Sequence, residues 1–69
     1  MSHMVIFKTA DQGIRFAVPR NFITEVWGTD DDNVCMLEYR RFTNGKWITA
    51  QERVVGSFYS TIAKLEEAV

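Results

Sequence analysis

Cationic and aromatic side chains alternate around a tight turn signal: Arg40, Arg41 and Phe42 precede Asn44-Gly45, and Lys46 and Trp47 follow it. Such a surface suits two chemistries. Tryptophan, phenylalanine and arginine are enriched at the centres of protein interfaces. The same side chains stack on and neutralise single-stranded nucleic acid. Arg20 and Arg53 complete a set of basic residues that could join either surface, and the plainer alternative is that these charges keep an edge hairpin soluble. Other chemistry is thinly represented. A cysteine nucleophile needs a base or a positive field to form the thiolate, and Cys35 is the only thiol in a chain whose one histidine, His3, reads as vector-derived. Asp30-Asp31-Asp32-Asn33 lacks the alternate spacing and glycine turn of a calcium loop, and reads as a solvated turn or an acidic docking loop. Glu25 and Glu38 could be imagined as an acid–base pair, but nothing in their spacing makes them meet. Glu25 is expected to pair with Arg15 or Arg40. No catalytic residues, metal ligands or cofactor-binding residues are assigned, and no cofactor is expected.

Composition narrows the classes further. The 69 residues include 8 Lys+Arg and 9 Asp+Glu, a net charge of −1, which disfavours a generic polyanion binder. Hydrophobic residues make up 46% of the chain, too many for disorder. One cysteine excludes an intramolecular disulfide. No apolar run is long enough to span a bilayer, and no secretory signal is evident. A free thiol without such a signal fits a reducing, cytoplasmic setting. Met1-Ser2-His3 reads as a vector-derived tag, leaving residues 4–69 as a single small domain. A domain of this size buries only about 60% of its unfolded surface, so association with another subunit would help it.

The elements that must position the basic and aromatic residues are short. Met4–Thr9 reads as a β-branched first strand, Asp11-Gln12-Gly13 as a turn, and Ile14–Val18 as an alternating second strand. Pro19 ends it. Phe22–Trp27 reads as a third strand with Ile23 and Trp27 in phase, and Val34–Phe42 as a fourth. Asn-Gly is the strongest short hairpin signal, because both central positions of a type I′ turn need positive φ. A fifth strand follows from Trp47 to about Arg53. The period then changes: Val55, Phe58, Ile62, Leu65 and Val69 share a helical face. Ser57 is the expected N-cap. Thr49-x-x-Glu52 spells a rival capping box, but Gly56 inside that longer helix would cost about 1 kcal/mol. The expected class is α+β, an antiparallel meander of four to five strands with one C-terminal amphipathic helix over one sheet face.

The turn also fixes a register. Thr43 should oppose Lys46, Phe42 Trp47, Arg41 Ile48, Arg40 Thr49 and Tyr39 Ala50. Cys35, Leu37, Tyr39, Ile48 and Ala50 then share the core face. Met36, Glu38, Arg40, Phe42, Trp47, Thr49 and Gln51 share the other.

The succession of Ile14-Arg15-Phe16, Pro19 to Val26, Asp32-Asn33-Val34 and Asn44-Gly45-Lys46-Trp47-Ile48, followed by Leu65, resembles the small flagellar FlbD-type proteins and the first half of LytTR-type DNA-binding domains. The likeness spans most of the chain but lies in strand lengths and turns. The LytTR resemblance implies a DNA-binding surface completed by further C-terminal strands, which do not follow before Val69. No site residue carries over from either family.

These readings converge on a small non-enzymatic interaction module that acts as an accessory or regulatory protein. Arg20, Arg40, Phe42, Lys46 and Trp47 are its contact residues, and a homodimer or another protein is its expected partner. A nucleic-acid-binding regulator using the same hairpin is the second expectation. A small-molecule pocket between helix and sheet is a third. A membrane partner is not expected.

Overall fold

A computed structural model describes residues 3–67. The order of elements is β1 (Met4–Lys8), β2 (Arg15–Pro19), a 3₁₀ turn (Arg20–Phe22), β3 (Ile23–Gly28), β4 (Val34–Thr43), β5 (Lys46–Val55) and α1 (Phe58–Glu67). The class is α+β, as the sequence suggests. The strands do not form one meander, however. β1 and β2 make a two-stranded antiparallel sheet, and β3-β4-β5 make a three-stranded one. Pro19 and the 3₁₀ turn carry the chain out of the first sheet, so β2 and β3 never pair. The sheets touch along one edge, where Thr9 bridges Val54 and the Ala10 N–H donates to the Arg53 carbonyl at 2.8 Å.

Alternation builds the core. In the first hairpin Val5 opposes Val18 and Phe7 opposes Phe16, which puts these side chains on one face. That face packs on the three-stranded sheet, with Phe16 5.8 Å from both Phe7 and Tyr39, centroid to centroid. Val5, Phe7, Val18, Cys35, Leu37, Tyr39, Val54 and Leu65 form the buried cluster. Helix α1 packs against β3 and β4 and buries Thr61 and Leu65. Hairpin and helix therefore cover the same sheet face, and the helix alone does not suffice.

The expected β4–β5 register holds at every pair from Thr43↔Lys46 to Tyr39↔Ala50 and runs on to Val34↔Val55. Asn44 (φ 52°) and Gly45 (φ 77°) supply the two left-handed residues that a type I′ turn requires. Ser57 caps α1, its Oγ accepting the Ser60 N–H at 3.1 Å. Val55 departs from expectation. It ends β5 and is 49% exposed, so it belongs to no helical face. Val69, assigned to the same face, lies outside the described residues. The polar residue Thr61 occupies the helix's inner side instead, with its Oγ1 3.2 Å from Cys35 Sγ.

A second correction concerns Trp27. The β3–β4 register steps from Ile23↔Tyr39 to Glu25↔Glu38, leaving Thr24 as an extra residue. A strand alternates its faces residue by residue, so Ile23 and Val26 could not both face the core without such a bulge. With it, both pack against the core, and Trp27 turns to the opposite face beside Met36.

Candidate functional site

Hairpin and helix leave the second face of the three-stranded sheet without a covering layer among the described residues. Alternation along the strands places Trp27, Met36, Glu38, Arg40, Phe42, Trp47, Thr49, Gln51 and Arg53 on it. Phe42 and Trp47 are 60% and 47% exposed. They are cross-strand partners with ring centroids 5.5 Å apart. Phe22 meets the Trp47 ring edge-on at 5.1 Å, and the Arg40 guanidinium carbon sits 5.5 Å over the indole. Edge-to-face rings and a cation over an indole are favourable arrangements, each worth about 0.5–1.5 kcal/mol. Asn21, Phe22, Arg40 and Trp47 line a shallow groove of about 360 Å³ beside this cluster.

The structure brings together three of the expected contact residues: Arg40, Phe42 and Trp47. Lys46 is adjacent in sequence but alternates to the inner side of the sheet, where it opposes Thr43. Arg20 is half-buried, and its Nε donates to the Leu65 carbonyl at 3.1 Å, which ties the last turn of α1 to the chain after β2. A cation at a helix C-terminus satisfies an orphan carbonyl and complements the helix dipole. Phe22 is the member that strand periodicity misses, because the 3₁₀ turn sets its direction. Pro19, just upstream, is the only local sign of that turn.

Glu38 organises the middle of the open face. Its Oε2 accepts from Thr24 Oγ1 at 2.8 Å and its Oε1 from Gln51 Nε2 at 3.0 Å, which links all three strands. Glu25 lies opposite Glu38 in register, so its cross-strand neighbour is a second carboxylate and not an arginine. The bonds from Gln51 and Thr24 hold the Glu38 carboxyl below its ordinary value of 4.5. A depressed carboxyl pKa stabilises the fold above the ordinary value, and that contribution disappears as pH falls through the lowered one. NMR titration should therefore find the Glu38 carboxyl below the ordinary glutamate value. In Gln51→Ala, which removes the larger cause, it should move back up; an unmoved midpoint would refute the assignment.

Cys35 and the acidic loop lie apart from this open face. Cys35 is fully buried. In the acidic loop, Asp31 Oδ1 accepts the Asn33 N–H at 2.8 Å and the Asp31 carbonyl accepts the Val34 N–H at 3.0 Å, an Asx turn that shapes the loop. No group of three His, Cys, Asp or Glu side chains converges among the described residues. A surface groove of about 250 Å³ runs between this loop and the start of α1, past Ser57, Phe58 and Tyr59. None of the helices described is long and apolar enough to cross a membrane.

Comparison with family models, curated proteins and solved structures finds no match to this chain. The case for function rests on the site itself.

Proposed function

We propose that this protein is a small non-enzymatic interaction module that self-associates through the edge or the open face of its three-stranded sheet and acts as an accessory or regulatory protein. One observation carries this reading: Phe22, Phe42, Trp47 and Arg40 cluster on a sheet face that neither the hairpin nor the helix covers. An interface anchor has this composition. Arg40 already spans one face of the indole, which leaves less ring for a stacked base and favours a protein partner over nucleic acid. The net charge of −1 weighs the same way. A cytoplasmic location belongs to this proposal and rests on the single free thiol, Cys35.

Light scattering on a sizing column, at low and high salt, tests it. The wild type should run as a dimer at both salts, because an apolar anchor is weakly screened. Trp47→Ala should shift the mass toward the monomer while its circular dichroism stays native. A mass that Trp47→Ala leaves unchanged would refute the anchor. Steep loss of nucleic-acid binding with salt would instead favour the hairpin as a phosphate and base contact.

A further inference from the structure

Self-association could use the edge or the open face of the sheet, and the edges differ in what they offer a second copy. An exposed edge invites pairing unless something blocks it. On β1, Lys64 Nζ donates to the outward Ile6 carbonyl at 3.0 Å and holds its ammonium in the path of an added strand. On β2, the Arg20 N–H bonds to the His3 carbonyl, so by alternation Arg15, Ala17 and Pro19 point outward, and Pro19 has no N–H to offer. On β3, the bulge at Thr24 interrupts the edge. β5 carries no proline, no bulge and no lysine plug. Thr43 and Lys46 close the two-residue turn as a bonded pair, so Trp47, Thr49, Gln51 and Arg53 present their backbone outward. The Arg53 carbonyl is taken by Ala10. The free stretch is therefore bounded by the turn at one end and by Thr9 and Ala10, just after β1, at the other, and Thr49 is at its centre.

We infer that the partner is a second copy of this chain, joined by antiparallel pairing of β5 with β5 about a two-fold axis at Thr49. Thr49 then opposes its own symmetry mate, and Trp47 and Gln51 exchange backbone hydrogen bonds with Gln51 and Trp47 of the second copy. Both sheets merge into one, with the two aromatic clusters on the same face. The register has a second consequence on the inner side. Lys46 of each copy falls opposite Glu52 of the other, and Ile48 opposite Ala50. Opposite charges facing one another across strands are favourable, and like charges there are not. Because the axis repeats every contact, the complementary charges occur twice. This arrangement rests on the proposed self-association and specifies its geometry.

Charge exchange tests it. Lys46→Glu alone sets glutamate against Glu52 at both symmetry positions, and Glu52→Lys alone sets lysine against Lys46. Each variant should fold as the wild type does by circular dichroism, and each should raise the dimer dissociation constant about tenfold. An equimolar mixture of the two should recover wild-type dimerisation, since every pair across the axis is then of opposite charge. Amide hydrogen exchange gives a second readout: the N–H groups of Trp47, Thr49 and Gln51 should become protected as protein concentration rises. A dimer indifferent to both charge variants, or variants whose mixture fails to recover, overturns the β5 register. If Trp47→Ala still dissociates such a dimer, self-association through the face survives without it. A wild type that stays monomeric across the concentration range overturns both.

Discussion

Replacing Leu37 with alanine is expected to remove about 2–5 kcal/mol of stability. Leu37 lies at the middle of the central strand, fully buried, between Val26 of β3 and Glu52 of β5 in register. The first hairpin and α1 close over this side of the sheet, so the atoms removed leave a cavity that few neighbours can move to fill. A domain of this length has a total stability of only about 3–10 kcal/mol. The substitution should therefore remove a large share of that stability. Urea denaturation followed by tryptophan fluorescence checks it, at one fixed protein concentration because association would itself add stability. The midpoint should fall while the slope is unchanged. Ile6→Ala, on the exposed outer face of the first hairpin, serves as the control and should change the midpoint little. Equal losses at both positions would mean that the core lies elsewhere.

Gly56→Ala should cost about 1–3 kcal/mol, by a backbone mechanism. Gly56 joins β5 to α1 at φ 126°, where residues with a Cβ are strained, and its N–H donates to the Asn33 carbonyl at 2.7 Å. An added Cβ would also come within 3.4 Å of Ser60 Oγ and Thr61 Oγ1, in the first turn of the helix. Relieving the strain would move the helix start and with it Thr61, which is buried against Cys35. Gly28→Ala is the matched control, because a Cβ there meets only Phe58 Cβ at an ordinary 3.9 Å. Thermal melts of the two variants should separate clearly; coincident melting curves would show that Gly56 is not under conformational constraint.

What the sequence makes legible here is local. Asn44-Gly45 sets the turn, the turn sets the register, and the register sorts Cys35, Leu37 and Tyr39 from Arg40, Phe42 and Trp47. Ser57 and the change of period likewise mark the helix start. The parts that escape a sequence reading depend on one irregular residue or on contacts between distant segments. A single extra residue at Thr24 reverses the face of Trp27, and nothing in the local pattern announces it. The separation of β2 from β3 depends on how the 3₁₀ turn after Pro19 redirects the chain. Arg20 looks like a surface cation until the helix end is placed beside it. Thr61 breaks the apolar stripe because its hydroxyl meets a thiol from another element. Of the candidate contact surface, the Arg40, Phe42 and Trp47 group follows from alternation alone, and Phe22 joins it through tertiary geometry.

Arg20 reaching Leu65 and Lys64 reaching Ile6 fasten the beginning of the domain to its far end. The buried cluster does the same, with Val5 and Phe7 sharing it with Leu65. On a ribosome the first hairpin emerges long before its partners. A two-stranded hairpin is marginal by itself in water, so β1 and β2 have no stable docking site until β4, β5 and the last turn of α1 have been made. Synthesis must therefore run past residue 65 before the domain closes. Until then Val5, Phe7, Phe16 and Val18 are unshielded on the nascent chain, which makes the interval before α1 docks the period when this domain most needs a chaperone.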